Sequence, residues 1–158
     1  MVNRPKMILV MRHAEKPDDP DDPDLTDDGR ARAKRLAEFI PAKFGTPDFI
    51  FAAAITKRSA RPYETVMPLA KATGVAIDAT FADNDYGALA KELLTKPNYA
   101  DKLVVVCWHH GNIPPMMRYL GAKKCTYPNP WDHTVFSLIL QVGLSAGDVS
   151  VTKGTEDF

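Results

Sequence analysis

Two uninterrupted apolar runs constrain the fold of this chain most strongly. Residues 7–11 (Met-Ile-Leu-Val-Met) and 103–108 (Leu-Val-Val-Val-Cys-Trp) show no alternation of apolar and polar side chains. Runs of this kind are typical of strands that are covered on both faces, as in a parallel sheet between helices. Arg12-His13 follows the first run, and His109-His110 follows the second. These side chains are therefore predicted at the carboxyl ends of strands, where such sheets bind ligands.

Strand-like and helix-like segments alternate along most of the chain. Thr26 is a good helix N-cap, and the aspartates that follow it suit the positive end of a helix. The proline-rich acidic stretch at residues 16–24 is predicted to be a surface loop. We predict helices at residues 26–43, 59–73, 87–96 and 112–120, and further strands at residues 49–55, 75–77 and 135–140. The alternation predicts an α/β fold, a three-layer α/β/α sandwich with a mainly parallel central sheet.

Composition favours one globular domain that spans residues 1–158. Apolar residues make up 45% of the sequence and charged residues 25%, as in ordinary globular proteins. The 20 basic residues balance the 20 acidic ones, so no overall positive field attracts nucleic acid or an anionic membrane. The first apolar run is too short for a signal sequence or a membrane span. We therefore expect a cytoplasmic protein without nucleic-acid or membrane partners, with its 2 cysteines reduced.

Three separated segments have the composition of a single anion-binding site. They are residues 12–15 (Arg-His-Ala-Glu), 57–61 (Lys-Arg-Ser-Ala-Arg) and 109–112 (His-His-Gly-Asn). Arginine binds phosphate well, since its planar fork of N–H donors matches two phosphate oxygens. A neutral imidazole nitrogen can attack phosphorus and so divide hydrolysis into two easier steps. The three segments therefore predict a site for phosphate chemistry.

Four sequence elements occur in a characteristic order. They are Arg-His-Xaa-Glu at residues 12–15, Leu-Thr-Xaa-Xaa-Gly at 25–29, Arg-Xaa-Xaa-Glu-Thr at 61–65 and His-Gly at 110–111. In this order they resemble the histidine phosphatase superfamily, also called phosphoglycerate mutase-like, and the small size resembles its short phosphohistidine phosphatases. The resemblance implies the α/β/α fold, a phosphohistidine intermediate on His13, and no metal or cofactor. It also implies that Arg12, Arg61 and His110 hold the phosphate.

Neighbouring residues compete for two of these roles. His110 is preferred to His109 because the superfamily places its histidine immediately before glycine, and His109 is then expected behind the pocket or at its rim. Arg61 is preferred to Arg58 because the Glu-Thr pair follows Arg61 at the spacing of the superfamily. Arg58 is then expected at the rim. Glu15 either orients the arginines or is a surface acid.

Hydrolysis of an alkyl phosphate benefits from a general acid that protonates the leaving oxygen. Asp83 and Asp85 lie in the part of the chain where many members of the superfamily place a carboxyl donor. An equally good interpretation is a polar loop that precedes a helix. If neither carboxyl reaches the pocket, substrates with good leaving groups, such as phosphohistidine, are expected to be preferred.

The sequence favours a phosphatase over a mutase. Mutases of the superfamily carry glycine where this chain has Ala14, and they carry long insertions for which 158 residues leave little room. We therefore predict a metal-independent phosphatase that acts on a phosphomonoester or phosphoramidate, in a phosphorylated small molecule or a phosphoprotein. The alternative is a non-catalytic phosphate- or phosphoprotein-binding module that retains the pocket. A metal-dependent hydrolase that uses His13, Glu15, His109 and His110 is disfavoured, because arginine beside the ligands opposes a cation.

Overall fold

The computed structural model describes residues 4–144, 147–156 and 158. These residues form a six-stranded sheet and four α-helices. The strands are β1 (Met7–Arg12), β2 (Phe49–Ala52), β3 (Ile77–Asp78), β4 (Leu103–Trp108), β5 (Leu138–Gly143) and β6 (Ser150–Thr155), and the helices are α1 (Asp27–Phe44), α2 (Arg61–Thr73), α3 (Tyr86–Thr95) and α4 (Ile113–Tyr119). None of the helices in this described part of the chain is long and apolar enough to cross a membrane.

The two apolar runs form neighbouring central strands. The strand order is β3-β2-β4-β1-β5-β6, in which β1, β2, β3 and β4 are parallel and β5 and β6 are antiparallel to their neighbours. Strands β1 and β4 run in register, from Met7 opposite Leu103 to Arg12 opposite Trp108. The backbone N–H of His13 extends this ladder by donating to the carbonyl of Trp108 at 3.1 Å. His13 and the histidines after β4 therefore leave the sheet at the same edge.

Alternate side chains of β1 pack against helices on opposite faces of the sheet. Ile8 and Val10 lie in an apolar cluster with residues of α3 and α4, whereas Leu9 and Met11 lie in one with residues of α1 and α2. All of these side chains are fully buried, and full burial of an aliphatic side chain contributes about 1.5–3 kcal/mol. Because both faces are covered, the run has no polar positions. The predicted three-layer α/β/α sandwich with a mainly parallel sheet is confirmed.

Several strand boundaries differ from the prediction. The strand predicted at residues 49–55 ends at Ala52, because the N–H of Ala54 turns away and donates to the carbonyl of Phe81 at 2.8 Å. The strand predicted at residues 135–140 begins only at Leu138 and continues to Gly143. The short strand predicted at 75–77 lies at Ile77–Asp78. Apolar composition therefore extends beyond the hydrogen-bonded ladder, since the adjoining loops also pack on the core.

The sequence pattern does not predict β6. Its residues pair only with β5 and are exposed or half-buried, so they form no apolar run. The four predicted helices are confirmed. Helix α2 begins at Arg61 rather than at residue 59, and proline occupies its first turn, where the missing N–H of proline costs nothing.

Both cysteines are free thiols in this structure. Cys107 is buried in β4, and Cys125 is exposed. Burial raises the pKa of the Cys107 thiol well above its usual range. Because the thiolate is the reactive form, Cys107 acts here as a packed apolar side chain.

Candidate active site

His13 is a buried, neutral imidazole directly after β1. The residue is 2% exposed, and its Nδ1 lies 2.7 Å from the carbonyl oxygen of Ala14. Because a carbonyl oxygen only accepts hydrogen bonds, Nδ1 carries the proton and Nε2 keeps its lone pair. Burial first, and then the charge of Arg12, lower the pKa of His13 to about 3, although the hydrogen bond to Ala14 opposes this. At neutral pH His13 therefore has the unprotonated Nε2 that a nucleophile requires.

The depressed pKa of His13 predicts a pH-dependent stability. An unfolded histidine has a pKa of about 6.5, whereas the pKa of His13 in the folded protein is about 3. Protonation therefore favours the unfolded state, and stability is lost as the pH falls from about 6.5 towards 3. Between pH 7.5 and pH 4.5 the loss attributable to His13 is about 3 kcal/mol. Urea denaturation measures the free energy of unfolding. When the pH is lowered from 7.5 to 4.5, this free energy should fall by about 3 kcal/mol more for the wild type than for His13→Asn. If the free energies of unfolding of the two proteins differ by the same amount at both pH values, the pKa of His13 is not lowered in the folded state.

Arg12, the last residue of β1, is 1% exposed and directs unpaired donors into the site. Its Nη1 donates to the carbonyl of His133 at 2.5 Å, and its guanidinium lies 4.0 Å from the centre of the Phe136 ring. Its Nε and Nη2 are buried and have no hydrogen-bond partner among the described residues. Burial, and next the charge of Arg61, lower the pKa of Arg12 to about 10, so it remains protonated at neutral pH. Buried donors of this kind are costly unless an acceptor meets them.

Arg61 brings a second cation to the same place from the first turn of α2. Its Nη1 donates to the carbonyl of Asp22 at 2.7 Å, while its buried Nε has no partner within the described part of the chain. The pKa of Arg61 is lowered by burial, against the opposing effect of Asp22. After burial, the charge of Arg61 is the next largest cause of the lowered pKa of Arg12, so the two guanidinium groups repel in the absence of an anion. Their arrangement therefore suits phosphate, with its several acceptor oxygens.

The acidic loop is fastened to α2 where it approaches the site. The carbonyl of Asp22 accepts from Arg61, and the carbonyl of Pro23 accepts from the N–H of Ala60 at 2.9 Å. The outer residues of the loop, 18–21, are exposed, as predicted for a surface loop. Its inner residues Asp22 and Pro23 contact the start of α2, which the sequence pattern did not indicate.

Glu64 and Thr65, the last two residues of the Arg-Xaa-Xaa-Glu-Thr motif, connect α2 to the segments that follow β1. The Thr65 hydroxyl accepts from the N–H of Ala14 at 2.9 Å and donates to the carbonyl of Arg61 at 2.7 Å. The Glu64 carboxylate accepts from the N–H of Leu25 at 2.9 Å. Thr65 thus joins the His13 segment to the helix that carries Arg61, and the spacing of the motif follows from that contact.

Gly29 explains a second motif, because it allows α1 to approach the backbone beyond His13. Thr26 caps α1, with its Oγ1 accepting from the N–H of Gly29 at 3.0 Å. A Cβ atom at Gly29 would lie 2.5 Å from the carbonyl oxygen of Glu15 and 3.1 Å from its nitrogen. Both of these atoms belong to the backbone, so neither can rotate away.

Replacing Gly29 with alanine is therefore expected to destabilise the fold by about 1–3 kcal/mol, the usual cost of overpacking. Gly87→Ala is a suitable control, since its Cβ would be 3.4 Å from the Tyr119 side chain, an ordinary contact. In the helical setting of α3 that change should be neutral or stabilise by up to about 1 kcal/mol. Urea denaturation measures both effects. Equal stabilities of the two variants would show that the close approach is unimportant.

The structure brings both histidines after β4 towards the pocket arginines. The ring centre of His109 lies 5.5 Å from that of His13, with the rings at 71°. Burial lowers the pKa of His109, although Asp83 opposes this. Burial, and next the charge of Arg12, lower the pKa of His110 to about 4. The sequence motif favours His110 and leaves His109 behind the pocket or at its rim, whereas in the structure it is His109 whose ring contacts His13.

Asp83 lies beside His109, whereas Asp85 is exposed. The Asp83 carbonyl accepts from the indole N–H of Trp108 at 2.9 Å, and its Oδ2 accepts from Nδ2 of Asn112 at 2.8 Å. Its Oδ1 is buried and has no partner among the described residues. Burial raises the pKa of Asp83, and the positive form of His109 would lower it. Of the two predicted carboxyls, the structure places Asp83 at the site.

Glu15 and Arg58 have different surroundings. The Glu15 carboxylate forms an ion pair with Arg32 of α1, with Nε 2.9 Å from Oε1. Its direct partner is thus an arginine outside the sequence motifs. Arg58 is exposed in the loop before α2, which is consistent with a rim position.

Some residues around the site had no signal in the sequence. Phe136 under Arg12, and the pair formed by Arg32 and Glu156, are far from the motifs along the chain. Asn112 could have been singled out, since it directly follows the His-Gly motif and fixes Asp83. No group of His, Cys, Asp and Glu side chains within residues 4–144, 147–156 and 158 has an arrangement that could hold a metal ion.

Comparisons with known proteins identify the fold. No protein-family profile matches the sequence, and no curated protein matches it significantly. Solved structures match over nearly the whole chain, and the chain has the fold of the histidine phosphatase superfamily. The resemblance seen in the sequence motifs is confirmed at the level of the fold.

Three of these structures show how far the similarity extends. The native mycobacterial glucosyl-3-phosphoglycerate phosphatase is 15% identical, with a TM-score of 0.64 over 95% of this chain and 97% of that one. The protein histidine phosphatase SixA, in complex with tungstate, is 17% identical, with a TM-score of 0.61 over 95% and 97%. Phosphoglycerate mutase from Plasmodium falciparum is 15% identical, with a TM-score of 0.62 over 96% and 89%.

Proposed function

We propose that this protein is a phosphatase that hydrolyses a phosphomonoester or a phosphoramidate through a phosphohistidine intermediate on His13. The observation that carries the proposal is the placement of a neutral, buried imidazole beside Arg12 and Arg61. Nε and Nη2 of Arg12 and Nε of Arg61 are buried and have no partner among the described residues. Two of the structural neighbours are named phosphatases, and one of them binds tungstate, an oxyanion that resembles phosphate. Those names support phosphatase chemistry on this fold.

The reaction proceeds in two displacements at phosphorus. In the first, the lone pair of His13 Nε2 attacks phosphorus, the bond to the leaving oxygen or nitrogen breaks, and the leaving group takes a proton from an acid. In the second, water attacks the phosphoryl group, the phosphorus–nitrogen bond breaks, and the acid regains a proton from the water. The products are inorganic phosphate and an alcohol or amine, and His13 returns to its starting state.

Arg12, Arg61 and His110 hold the phosphoryl group in this proposal. Phosphoryl transfer spreads negative charge over the equatorial oxygens, and fixed N–H donors that face those oxygens lower the barrier. The buried Arg12 and the half-buried Arg61 provide both charge and donors. His110, with its depressed pKa, is neutral at pH 7 and provides a hydrogen bond rather than a charge.

Asp83 is the proposed acid. Burial raises its pKa, its Oδ2 accepts a hydrogen bond from Nδ2 of Asn112, and its buried Oδ1 has no partner among the described residues. Its charge acts on His109, whose ring contacts His13. Asp83 and His13 thus both interact with His109, and in this proposal the Asp83 carboxyl donates the proton to the leaving group.

Asp83→Asn is expected to lower kcat/KM for an alkyl phosphate about a hundredfold or more, because a poor leaving group needs the proton. An aryl phosphate or a phosphoramidate should lose less than about tenfold, so a plot of log kcat/KM against leaving-group pKa becomes steeper. Asp85→Asn, at an exposed position, is the matched control and should leave the slope unchanged. Equal losses for every leaving group would exclude Asp83 as the acid.

The proposed function is tested by turnover of a small substrate panel. We expect release of phosphate from p-nitrophenyl phosphate, from an alkyl phosphate and from a phosphohistidine peptide, with inhibition by vanadate and no loss of rate in a metal chelator. Binding of vanadate without turnover of any substrate would favour the non-catalytic phosphate-binding module. Activity that disappears in chelator would contradict the proposed mechanism.

A further inference from the structure

We propose that Arg32 and Glu156 are positioning residues that hold the carboxylate of Glu15 away from Arg12 and so keep Arg12 available for phosphate. The inference rests on the proposed function, because it takes phosphate as the ligand of Arg12. It concerns residues of α1 and of the segment after β6, both outside the sequence motifs.

Arg32 binds both oxygens of the Glu15 carboxylate. Its Nε lies 2.9 Å from Oε1 and 3.1 Å from Oε2 of Glu15, and its Nη2 lies 2.9 Å from Oε2. Its Nη1 lies 3.0 Å from Oε1 of Glu156. All three guanidinium nitrogens are thus used, and the planar fork fixes the orientation of the Glu15 side chain.

Glu15 would otherwise compete with the substrate for Arg12. Burial opposes a low pKa of Glu15, but the hydrogen bonds from Arg32 and, to a smaller extent, the charge of Arg12 lower it. The charge of Glu15 in turn raises the pKa of Arg12, so the two groups attract each other. A carboxylate matches the arginine fork in the same way as phosphate. Yet Nε and Nη2 of Arg12 are buried without a partner among the described residues. The bidentate hold of Arg32 on Glu15 accounts for this.

Glu156 orients Arg32 from the interior. Its side chain is 1% exposed, and its backbone N–H donates to the carbonyl of Ser137 at 2.8 Å, which ties it to the sheet. Burial raises the pKa of Glu156 to about 7 in spite of Arg32. The Arg32 guanidinium binds both carboxylates: its Nε and Nη2 donate to Glu15, and its Nη1 donates to Glu156. Glu156 therefore serves as an anchor that keeps Arg32 turned towards Glu15.

The test measures binding of inorganic phosphate to the full chain by calorimetry. Arg32→Gln is expected to weaken phosphate binding about tenfold, because Glu15 then pairs with Arg12 and must be displaced. Arg32→Lys keeps a positive charge beside the buried Glu156, so this variant is expected to fold. It should weaken phosphate binding by a smaller factor than Arg32→Gln. Adding Glu15→Gln to either variant should restore affinity to within about threefold of wild type, since an uncharged amide competes poorly. Glu156→Gln should cause a smaller loss that Glu15→Gln also reverses.

Arg30→Gln is the matched control on the same helix. Arg30 forms an exposed pair with Asp27 at 3.2 Å, so this variant should bind phosphate as the wild type does. Unchanged affinity in folded Arg32→Gln and Arg32→Lys proteins, or failure of Glu15→Gln to restore a loss, would overturn the inference. Thermal melts establish that each variant is folded.

These outcomes separate the inference from the proposed function. If the affinities follow the expected pattern but the wild type turns over no substrate, only the proposed function fails. If the wild type forms phosphohistidine at His13 and the Arg32 variants bind phosphate normally, only the inference fails. Failure of the wild type to bind phosphate would overturn both.

Discussion

Replacing His13 with alanine is expected to lower kcat by at least about a thousandfold, the scale of loss when a nucleophile is removed. The imidazole is buried, its Nδ1 is bound to the Ala14 carbonyl, and its pKa is lowered to about 3. Among the imidazole rings in the described part of the chain, that of His13 alone is fixed by a hydrogen bond to the backbone. Steady-state hydrolysis of p-nitrophenyl phosphate at pH 7 measures the loss.

His133→Ala is the matched control for this prediction. The side chain of His133 is exposed, and its contact with Arg12 is made by the backbone carbonyl, which alanine retains. Most of kcat should therefore remain. Substantial turnover in folded His13→Ala protein would show that phosphate is transferred directly to water or to another residue.

Replacing Arg12 with glutamine is expected to lower kcat/KM about a hundred- to a thousandfold, the range found when donors to a developing negative charge are removed. Glutamine fills part of the space above Phe136 but lacks the positive charge and the fork of donors. The substitution removes Nε and Nη2 of Arg12, which have no partner among the described residues and are the proposed donors to phosphate. The inhibition constant of vanadate should rise together with the loss of kcat/KM, because both depend on the same donors.

Arg12→Lys distinguishes geometry from charge. Lysine keeps the charge but offers a single ammonium group, which cannot reach the His133 carbonyl and two phosphate oxygens in one plane. It is therefore expected to recover little of the activity. Arg118→Gln, an exposed position at the end of α4, should have no effect. Full activity in Arg12→Lys would show that a point charge is sufficient and that the unpaired donors are irrelevant.

The core of the fold and the position of His13 at the end of β1 could be predicted because each depends on local sequence. Burial on both faces leaves a continuous apolar run in β1 and β4, and the parallel register of these strands brings their ends together. The side chains that follow each run must then meet at one edge of the sheet. The predicted proximity of His13 to the histidines after β4 needed no further information.

Other features depend on contacts between distant segments and left no pattern in the sequence. Strand β6 lies at the edge of the sheet and buries little apolar surface. Glu156 meets Arg32 only because β6 pairs beside β5, and an isolated acid near the end of a chain indicates nothing by itself. The closeness of His109 to His13 depends on how the backbone turns after β4, and a one-residue choice of this kind reverses the direction of a strand-end side chain.

Identification of the residue that is phosphorylated during turnover decides whether His13 is the phosphoryl acceptor. The wild type is mixed with a phosphomonoester labelled in its phosphoryl group, quenched within milliseconds without acid, digested and mapped by mass spectrometry. We expect label on His13 in the wild type and no labelled protein in His13→Ala. Label on any other residue, or rapid turnover with no labelled protein at any time, would contradict it.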